Sequence, residues 1–462
     1  MDREAQIFDR MQLLYAESGF NDHMVHCELG FDRSLDEGRL KKAVALLLES
    51  IPILATRYIA EPGKARWESI AGAGLDRAFA TVDDGAAFEA ERTHRIDEAE
   101  GPQLHVGFLR GGQSAIALTV NHMLADGAAL KDCAYVLCET YSRLRDDPFY
   151  APPLVDGYRG IADVLGSVGP LDRLRAFFGR GGDSNRAGEL SFPLDGRGEE
   201  RPFIATRTVA RERVARLRAS CRLFRATIND AVLTAYYRTL SRALERGSGI
   251  RPRGRLEVPI MIDMRRYLPS RVFGSLRNVS STAVTRLETA VGESFEASLE
   301  RTVALMKGLK SGNIGLNAFV KMSLLASLPQ GAADSLMRRG FRHPLICMTN
   351  LGELDPSRLS MDGATPVSAY ACGSIKHKPH VQLALSGFAG TITLSSNLCG
   401  NLEDKRRIEA FLAEVEEELK SFGETGTTSP RSPGSCVPVR SSGRRRSCPP
   451  PRPEAPSAGT PG

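Results

Sequence analysis

The clearest hydrophobic pattern in the chain is a pair of β-type runs followed directly by a helical periodicity. Residues 104–110 and 114–120 are the two runs, and the short spacer between them contains two glycines, which predicts a β-hairpin. After Gly127 the apolar positions recur at spacings of three and four residues, which predicts an amphipathic helix. His122 therefore falls where the second strand ends, and Asp126 takes the position of a helix N-cap.

Comparable patterns occur in both halves of the chain. A run at 24–31 predicts a strand, and apolar positions within 40–51 predict a helix that stops before Pro52. In the second half the same reasoning predicts helices within 214–221, 229–244 and 408–419, and strands within 256–262, 345–348, 381–385 and 390–395. Because each half mixes strands and helices, the pattern favours two α/β lobes over one continuously wound sheet.

The composition divides the chain into two lobes and a tail. Residues 166–202 are rich in Gly, Arg and Pro, which predicts a linker between an N-terminal lobe at 1–165 and a C-terminal lobe at 203–424. Residues 425–462 hold six arginines against one acid, which is +5 of the net charge of +6, and nine of these residues are proline. Such a segment buries too little apolar surface to offset its loss of conformational entropy, so we expect it to be disordered.

The location of the positive charge limits what it implies about partners. The body of the chain is nearly neutral outside the tail, so we expect no nucleic-acid partner. A solvated extension is a simpler interpretation of the tail than a segment that binds RNA or acidic lipid. The N-terminus is charged, and no run approaches the ~20 apolar residues that cross a bilayer. We therefore expect no membrane span and a cytoplasmic location.

The cysteine and histidine patterns predict no metal site. The nine cysteines include no C-x-x-C pair, which is typical of reduced thiols. His377 and His380 form an H-x-x-H pattern, but no carboxylate or thiolate stands at ligand spacing beside it. The sequence also lacks a Walker A motif, a dinucleotide fingerprint and G-x-S-x-G, which argues against nucleotide-driven ligation and serine hydrolysis.

The heptapeptide NHMLADG at 121–127 resembles the HHxxxDG motif of the CoA-dependent acyltransferase superfamily. This superfamily includes nonribosomal peptide condensation domains, alcohol acyltransferases, wax ester synthases and chloramphenicol acetyltransferase. Other segments resemble the same superfamily in the same order: an opening helix and P-x-L-x-x-R strand at 34–58, a T-x-N-D helix start at 227–230, a strand with a following arginine at 258–269, and an S/T-N-hydrophobic-G segment at 348–355. The resemblance covers about residues 1–422.

The resemblance implies an α/β (α+β) fold of two chloramphenicol-acetyltransferase-like lobes that form a V. The active site would lie in a tunnel between the lobes, with donor and acceptor entering from opposite faces. By the same resemblance His122 is the histidine that acts as, or at least positions, the general base, although an isolated histidine of this kind is also common as a plain core or loop residue. A neutral imidazole near pH 7 suits removal of a proton from a hydroxyl or amine.

The resemblance assigns the neighbouring residues structural roles. Asp126 would hold the catalytic loop through a salt bridge to Arg265, a role that is compatible with a simple N-cap. A buried pair of this kind fixes geometry more than it adds stability. Gly127 would either present its backbone N–H to a developing oxyanion or allow close packing at the helix start.

Three further polar residues are candidates for binding substrate or the pantetheine arm. Thr349 and Asn350 stand in the S/T-N-hydrophobic-G segment, where they are equally well explained as polar residues that end a strand. Asn121 replaces the first histidine of the motif, which weakens the assignment as a standard peptide-forming condensation domain. The D-F-G-W-G segment of plant-type acyltransferases is also missing, so a bacterial alcohol or natural-product acyltransferase fits better.

The expected function is transfer of an acyl group from a pantetheine thioester to a small-molecule alcohol or amine. The donor would be acyl-CoA or an acyl or peptidyl carrier protein, used as a substrate, with no bound cofactor. His122 would act as base in a direct attack, without a covalent enzyme intermediate. The alternative is a non-catalytic condensation-like module that recruits a carrier protein or a tailoring enzyme.

Overall fold

The computed structural model describes residues 3–70, 72–179, 191–194, 197–248, 256–270, 274–288, 292–340 and 346–425. The predicted tail lies outside these residues apart from Thr425. The strands are β1 (Arg3–Glu4), β2 (Met24–Phe31), β3 (Thr56–Ile59), β4 (Arg66–Ser69), β5 (Phe79–Val82), β6 (Leu104–Leu109), β7 (Ala115–Asn121), β8 (Arg201–Val209), β9 (Leu256–Asp263), β10 (Ser280–Leu287), β11 (Ile346–Leu354), β12 (Pro366–Cys372), β13 (Lys376–His377), β14 (Val381–Phe388) and β15 (Thr391–Gly400). The helices are α1 (Ile7–Glu17), α2 (Glu37–Ser50), α3 (Gly85–Arg92), α4 (Gly127–Asp146), α5 (Ala162–Gly166), α6 (Pro170–Phe178), α7 (Arg211–Leu223), α8 (Ile228–Ser248), α9 (Phe295–Ser311), α10 (Leu316–Ala326), α11 (Gln330–Gly340) and α12 (Leu402–Thr425).

The N-terminal half is built on a five-stranded sheet with the strand order β12-β2-β7-β6-β5. Strands β6 and β7 pair antiparallel from Leu104 opposite Val120 to Leu109 opposite Ala115, which confirms the predicted hairpin. Helices α2 and α4 cover this sheet and bury the apolar positions that their periodicity marked, including Leu40, Leu47 and Leu137. The hairpin and α4 thus hold the loop that carries His122 between two buried elements.

The C-terminal half is built on a larger sheet with the order β10-β9-β11-β14-β15-β13, to which β8 adds by pairing with β15. Helices α7, α8, α9 and α12 pack on this sheet around a second apolar core. Tyr236 and Tyr237 are fully buried there. The Tyr236 hydroxyl donates to the carbonyl of Cys347, and the Tyr237 hydroxyl bonds to the hydroxyl of Thr285. This satisfies the polar ends of two large core side chains.

Strand β12 joins the two halves. The predicted boundary places residues 366–372 in the C-terminal lobe, but β12 pairs antiparallel with β2 in the N-terminal sheet. The chain leaves the C-terminal sheet after β11, crosses to the other sheet, and returns through β13 to β14. Strand pairing at this sequence distance leaves no local signal, so periodicity alone could not reveal it. The lobe and linker boundaries otherwise stay a prediction; the described part of the linker contains α6.

A third apolar cluster is formed mainly by α1, α5, α10 and α11, with Phe8 of α1 against Phe319 of α10 at a ring-centroid distance of 5.6 Å. Helix α1 was not predicted, although it supplies much of this cluster. It is fixed by Asp9, which is 1% exposed and accepts hydrogen bonds from Trp67 Nε1 at 2.8 Å and from Arg159 at 2.9 and 3.1 Å. Among the described helices, none has the length and apolar character needed to cross a membrane.

We expect Asp9→Ala to lower the free energy of unfolding by about 3–5 kcal/mol, because it leaves the Arg159 guanidinium buried without its carboxylate. Chemical denaturation followed by circular dichroism measures the change. The double variant Asp9→Ala/Arg159→Met removes both charges and should be more stable than Asp9→Ala. Equal stability of the single variant and the unchanged protein would contradict the assigned role of this pair.

Candidate active site

A cavity of about 740 Å³ lies where elements of the two halves meet. Its wall is mostly apolar, and Met11, Phe319 and Met322 contribute to it from α1 and α10. Its polar lining comes from several distant parts of the sequence, and includes Gln12, Tyr15, His122, Ser280, Ser281, Cys347, Thr349, Ser374, Lys376 and Gln382. A mainly apolar cavity of this size with a few converging polar groups is the common form of a small-molecule site.

His122 lines this cavity directly after the end of β7. Its backbone N–H donates to the carbonyl of His23 at 2.8 Å, and its ring Nδ1 lies 2.7 Å from the carbonyl oxygen of Ala125. Because a carbonyl can only accept, Nδ1 carries the proton in this bond. The second ring nitrogen, Nε2, therefore keeps its lone pair in the neutral imidazole.

Asn278 supports the same loop from the other half of the chain. Its side-chain amide lies 3.1 Å from the carbonyl of His122 and 3.3 Å from Nδ1. Since Nδ1 already donates to Ala125, the Asn278 amide donates to the carbonyl. Asn278 was not predicted from the sequence, because an asparagine in a loop 156 residues away carries no local signal of this contact.

The charge state of His122 follows from its burial. Burial lowers the pKa of His122 to about 4, and this effect outweighs the hydrogen bond to Ala125 and the nearby negative charge of Asp126, which both raise it. The imidazole is therefore neutral at pH 7 and can accept a proton. Its environment favours the basic form that a general base requires.

Asp126 connects the His122 loop to the other half of the structure. One carboxylate oxygen accepts the N–H of Ala129 and caps α4, as the sequence predicted. The other accepts hydrogen bonds from Arg265 Nη1 at 2.7 Å and from the N–H of Val279 at 2.9 Å. Burial would raise the pKa of Asp126, but the Arg265 charge and these donors hold it below its usual range. Asp126 is thus a fully engaged carboxylate and is not placed to exchange protons with a substrate.

Arg265 sits in a short 3-10 turn at Met264–Tyr267, directly after β9. Besides Asp126, its guanidinium contacts Asp263 at 3.3 Å and donates to the carbonyl of Arg277 at 3.0 Å. The structure thereby brings the two residues of the implied ion pair into contact, with only 14% and 8% of their side chains exposed.

Gly127 packs closely at the start of α4. A Cβ at this position would lie 2.1 Å from the Cδ2 atom of Leu351, so a larger residue would displace the end of this β11 side chain. Gly127 also lines the cavity, and the first N–H groups of a helix have no partner within the helix. The two roles considered for Gly127, close packing at the helix start and an N–H donor at the cavity, are therefore compatible.

The three other candidate residues differ in whether they line the cavity. Thr349 lines the cavity together with Cys347 and Leu351, because alternate residues of β11 face the same side. Asn350 faces away, with its amide bonded to Asn229 Oδ1 at 3.0 Å and its own Oδ1 accepting the N–H of Gly352.

Asn121 is fully buried beside the loop and does not line the cavity. Its side-chain amide donates to Gln103 Oε1 at 2.7 Å, and its Oδ1 accepts the N–H of Met123 at 2.9 Å. The strand ends at Asn121, and its side chain is used to brace the turn that follows. This placement does not support the expected contact with substrate or pantetheine, for Asn121 or for Asn350.

Comparison with known proteins identifies the fold. No family model matches the sequence, and no curated protein matches it either. Among solved structures, the first condensation domain of the calcium-dependent antibiotic synthetase with a substrate analogue superposes with a TM-score of 0.65 at 16% identity, covering 92% of this chain and 96% of that chain. The chain has the two-lobed fold of condensation domains. This confirms the predicted fold class.

Two other solved structures extend the comparison. Polyketide synthase associated protein 5 from Mycobacterium tuberculosis has a TM-score of 0.62 at 17% identity, covering 91% of this chain and 100% of that chain. The epimerization domain from the third module of tyrocidine synthetase B has a TM-score of 0.64 at 13% identity, covering 90% and 95%. At these identities the similarity establishes the condensation-domain fold and leaves the chemistry to be argued from the site.

Three residues of the types that bind metal ions form a cluster outside the cavity. Atoms of Glu91, His94 and His105 lie within 4.8 Å of one another. His105 bonds to the carbonyl of Arg77 and, through Nε2, to Glu91 at 2.6 Å, while the rings of His94 and His105 stack at 3.7 Å with an angle of 11°. Nearly parallel rings do not direct their in-plane lone pairs at one point. The arrangement is therefore a hydrogen-bonded pair with a stacked ring and not a formed metal centre.

We expect Arg265→Met to lower the free energy of unfolding by about 3–5 kcal/mol, because Asp126 would stay buried without its counter-ion. Arg266→Met is a matched control, since Arg266 is the adjacent arginine and is exposed. Thermal or urea denaturation of both variants measures the difference. If the two variants were equally stable, the ion pair would not hold the condensation-domain lobes in the way the contacts indicate.

Proposed function

We propose that this protein is an acyltransferase that moves an acyl group from a pantetheine thioester to a hydroxyl or amine, with His122 as the general base. The observation that carries the proposal is the position of His122 in the cavity wall with its Nδ1–H held by the Ala125 carbonyl. This contact selects the tautomer in which Nε2 can take a proton. The condensation-domain fold supports a reaction of this class.

The proposed step uses no covalent enzyme intermediate. Nε2 of His122 takes the proton of the acceptor as its oxygen or nitrogen attacks the thioester carbonyl. The tetrahedral intermediate then collapses, the carbon–sulfur bond breaks, and the pantetheine thiolate takes the proton from Nε2. The Ala125 carbonyl stabilises the imidazolium that exists between these two transfers.

The surrounding groups support direct transfer. Asp126 is occupied by Arg265 and two backbone N–H groups, so it holds the loop and leaves proton transfer to His122. Cys347 also lines the cavity, but burial raises the pKa of its thiol. A protonated thiol is a poor nucleophile, which disfavours an acyl-enzyme. The N–H of Gly127, at the start of α4 and on the cavity wall, is a suitable donor to the oxyanion.

The proposed donor is acyl-CoA or an acyl or peptidyl carrier protein, and the proposed acceptor is a small alcohol or amine. The cavity volume of about 740 Å³ suits two small reacting groups better than a long polymer. Holding donor and acceptor together beside Nε2 would supply much of the rate gain through orientation.

We expect His122→Ala to reduce kcat/KM by about 100- to 10,000-fold, the usual contribution of a positioned general base. Activity is measured by thiol release and product mass with a panel of acyl-CoAs and acylated carrier proteins against small alcohols and amines. His94→Ala is the matched control, since His94 is also half-buried but lies outside the cavity.

Two results would count against the assignment. Full activity of a well-folded His122→Ala variant would remove His122 from the mechanism. Stable binding of a carrier protein with no turnover of any donor would favour the alternative, a module that only recruits partners.

The low pKa of His122 predicts an unusual pH profile. Because the neutral imidazole is the active form and its pKa is about 4, kcat/KM should stay level as pH falls through 6.5 and should decrease only near pH 4. Initial rates in constant-ionic-strength buffers measure this, with circular dichroism to verify the fold at each pH. An acid limb centred near 6.5, the ordinary value for histidine, would show that His122 is not desolvated as described.

A further inference from the structure

One part of the cavity wall is formed by the segment between β12 and β13. Gly373, Ser374 and Lys376 line the cavity, while Ile375, which lies between the two side chains that face it, is 2% exposed and does not line it. This alternation is that of an extended chain, in which residues two apart face the same side. Both cavity-facing side chains are almost completely buried, at 3% and 4% exposure.

Lys376 has no counter-ion among the described residues. Its Nζ lies 4.1 Å from the ring centroid of Phe20, a cation–π contact, and no ion pair or side-chain hydrogen bond holds it. The charge of Asp22 acts on it, but Asp22 accepts the N–H groups of Met24 and Ile375 and makes no salt bridge to Lys376. Burial accordingly lowers the pKa of the Lys376 amine. An ammonium in such a position is costly unless an anion joins it.

Ser374 is unsatisfied in the same place. Its Oγ is buried and has no hydrogen-bond partner within the described residues. A buried hydroxyl without a partner is uncommon, since most buried polar groups are bonded. The Ser374 hydroxyl and the Lys376 amine are therefore two unpaired donors, one of them cationic, that face the same cavity from the same side of the segment.

We propose that Ser374 and Lys376 bind the anionic group of a substrate, so that the cavity selects an acceptor or acyl group that carries a carboxylate. The identification of this ligand as a substrate rests on the proposed function. A carboxylate accepts from both the ammonium and the hydroxyl, and it would supply the charge that Lys376 lacks.

Binding can be tested without catalysis by comparing octanoate with octanamide, its neutral counterpart of similar shape, by isothermal titration calorimetry. The unchanged protein should bind octanoate about 10- to 100-fold more tightly, the range for hydrogen bonds to charged groups. Lys376→Met keeps a similar length, leaves no partner unpaired, and should abolish this preference. Ser374→Ala should weaken it about 2- to 10-fold, as for one neutral donor.

Lys321→Met is the matched control. Lys321 lines the same cavity but is exposed, so its charge is screened by water and its loss should leave the preference for octanoate unchanged. Equal binding of octanoate and octanamide by the unchanged protein, or binding of neither, would overturn the proposal. A preference that survives Lys376→Met would overturn it too.

Activity assays then locate the anion on the acceptor or on the acyl group. One arm uses butyryl-CoA with alcohols that do or do not carry a terminal carboxylate. The other uses one neutral alcohol with succinyl-CoA or butyryl-CoA. Lys376→Met should raise KM for the carboxylated partner in one arm by about 10- to 100-fold and spare the neutral one.

Equal effects on charged and neutral partners in both arms would refute the selection by charge. Absence of transfer from every donor in the unchanged protein would refute the proposed function instead. The calorimetric comparison would still decide whether Ser374 and Lys376 bind an anion.

Discussion

The carboxylate of Asp126 is the contact on which the site depends. It caps the helix that follows the His122 loop, and it accepts from Arg265 and Val279 in the other half of the chain. Asp126 is buried and the Arg265 side chain is mostly buried, so breaking the ion pair costs more than making it contributes. The ion pair fixes the position at which the two halves pack together, and the cavity lies at that position.

Burial favours the neutral form of two groups that face the cavity. For His122 it favours the neutral imidazole and so the form that accepts a proton. For Lys376 it disfavours the charged form that the side chain would have in water. A core built only for stability would pair or replace such a lysine, so an unpaired buried ammonium is more readily explained by a ligand than by folding.

Local pattern determined more of the fold than of the site. The hairpin, helix α4 and its cap at Asp126 were predictable because period-two and period-3.6 burial leave a direct trace in neighbouring residues. Helix α1 was not predicted although it lines the cavity. Strand β12 was not predicted either, and its partner β2 lies more than three hundred residues earlier. Pairing at that distance has no counterpart in local periodicity.

The sequence by itself determined the fold class, the position of His122 at a strand exit, and the order of segments that resembles the acyltransferase superfamily. Tertiary structure alone decided which polar residues face the cavity. It turned Asn121 toward Gln103 and Asn350 toward Asn229, and it directed Ser374 and Lys376 inward. The physical reason is that a residue's type limits the chemistry available to it, whereas its partners are set by which distant elements the burial of apolar surface brings together.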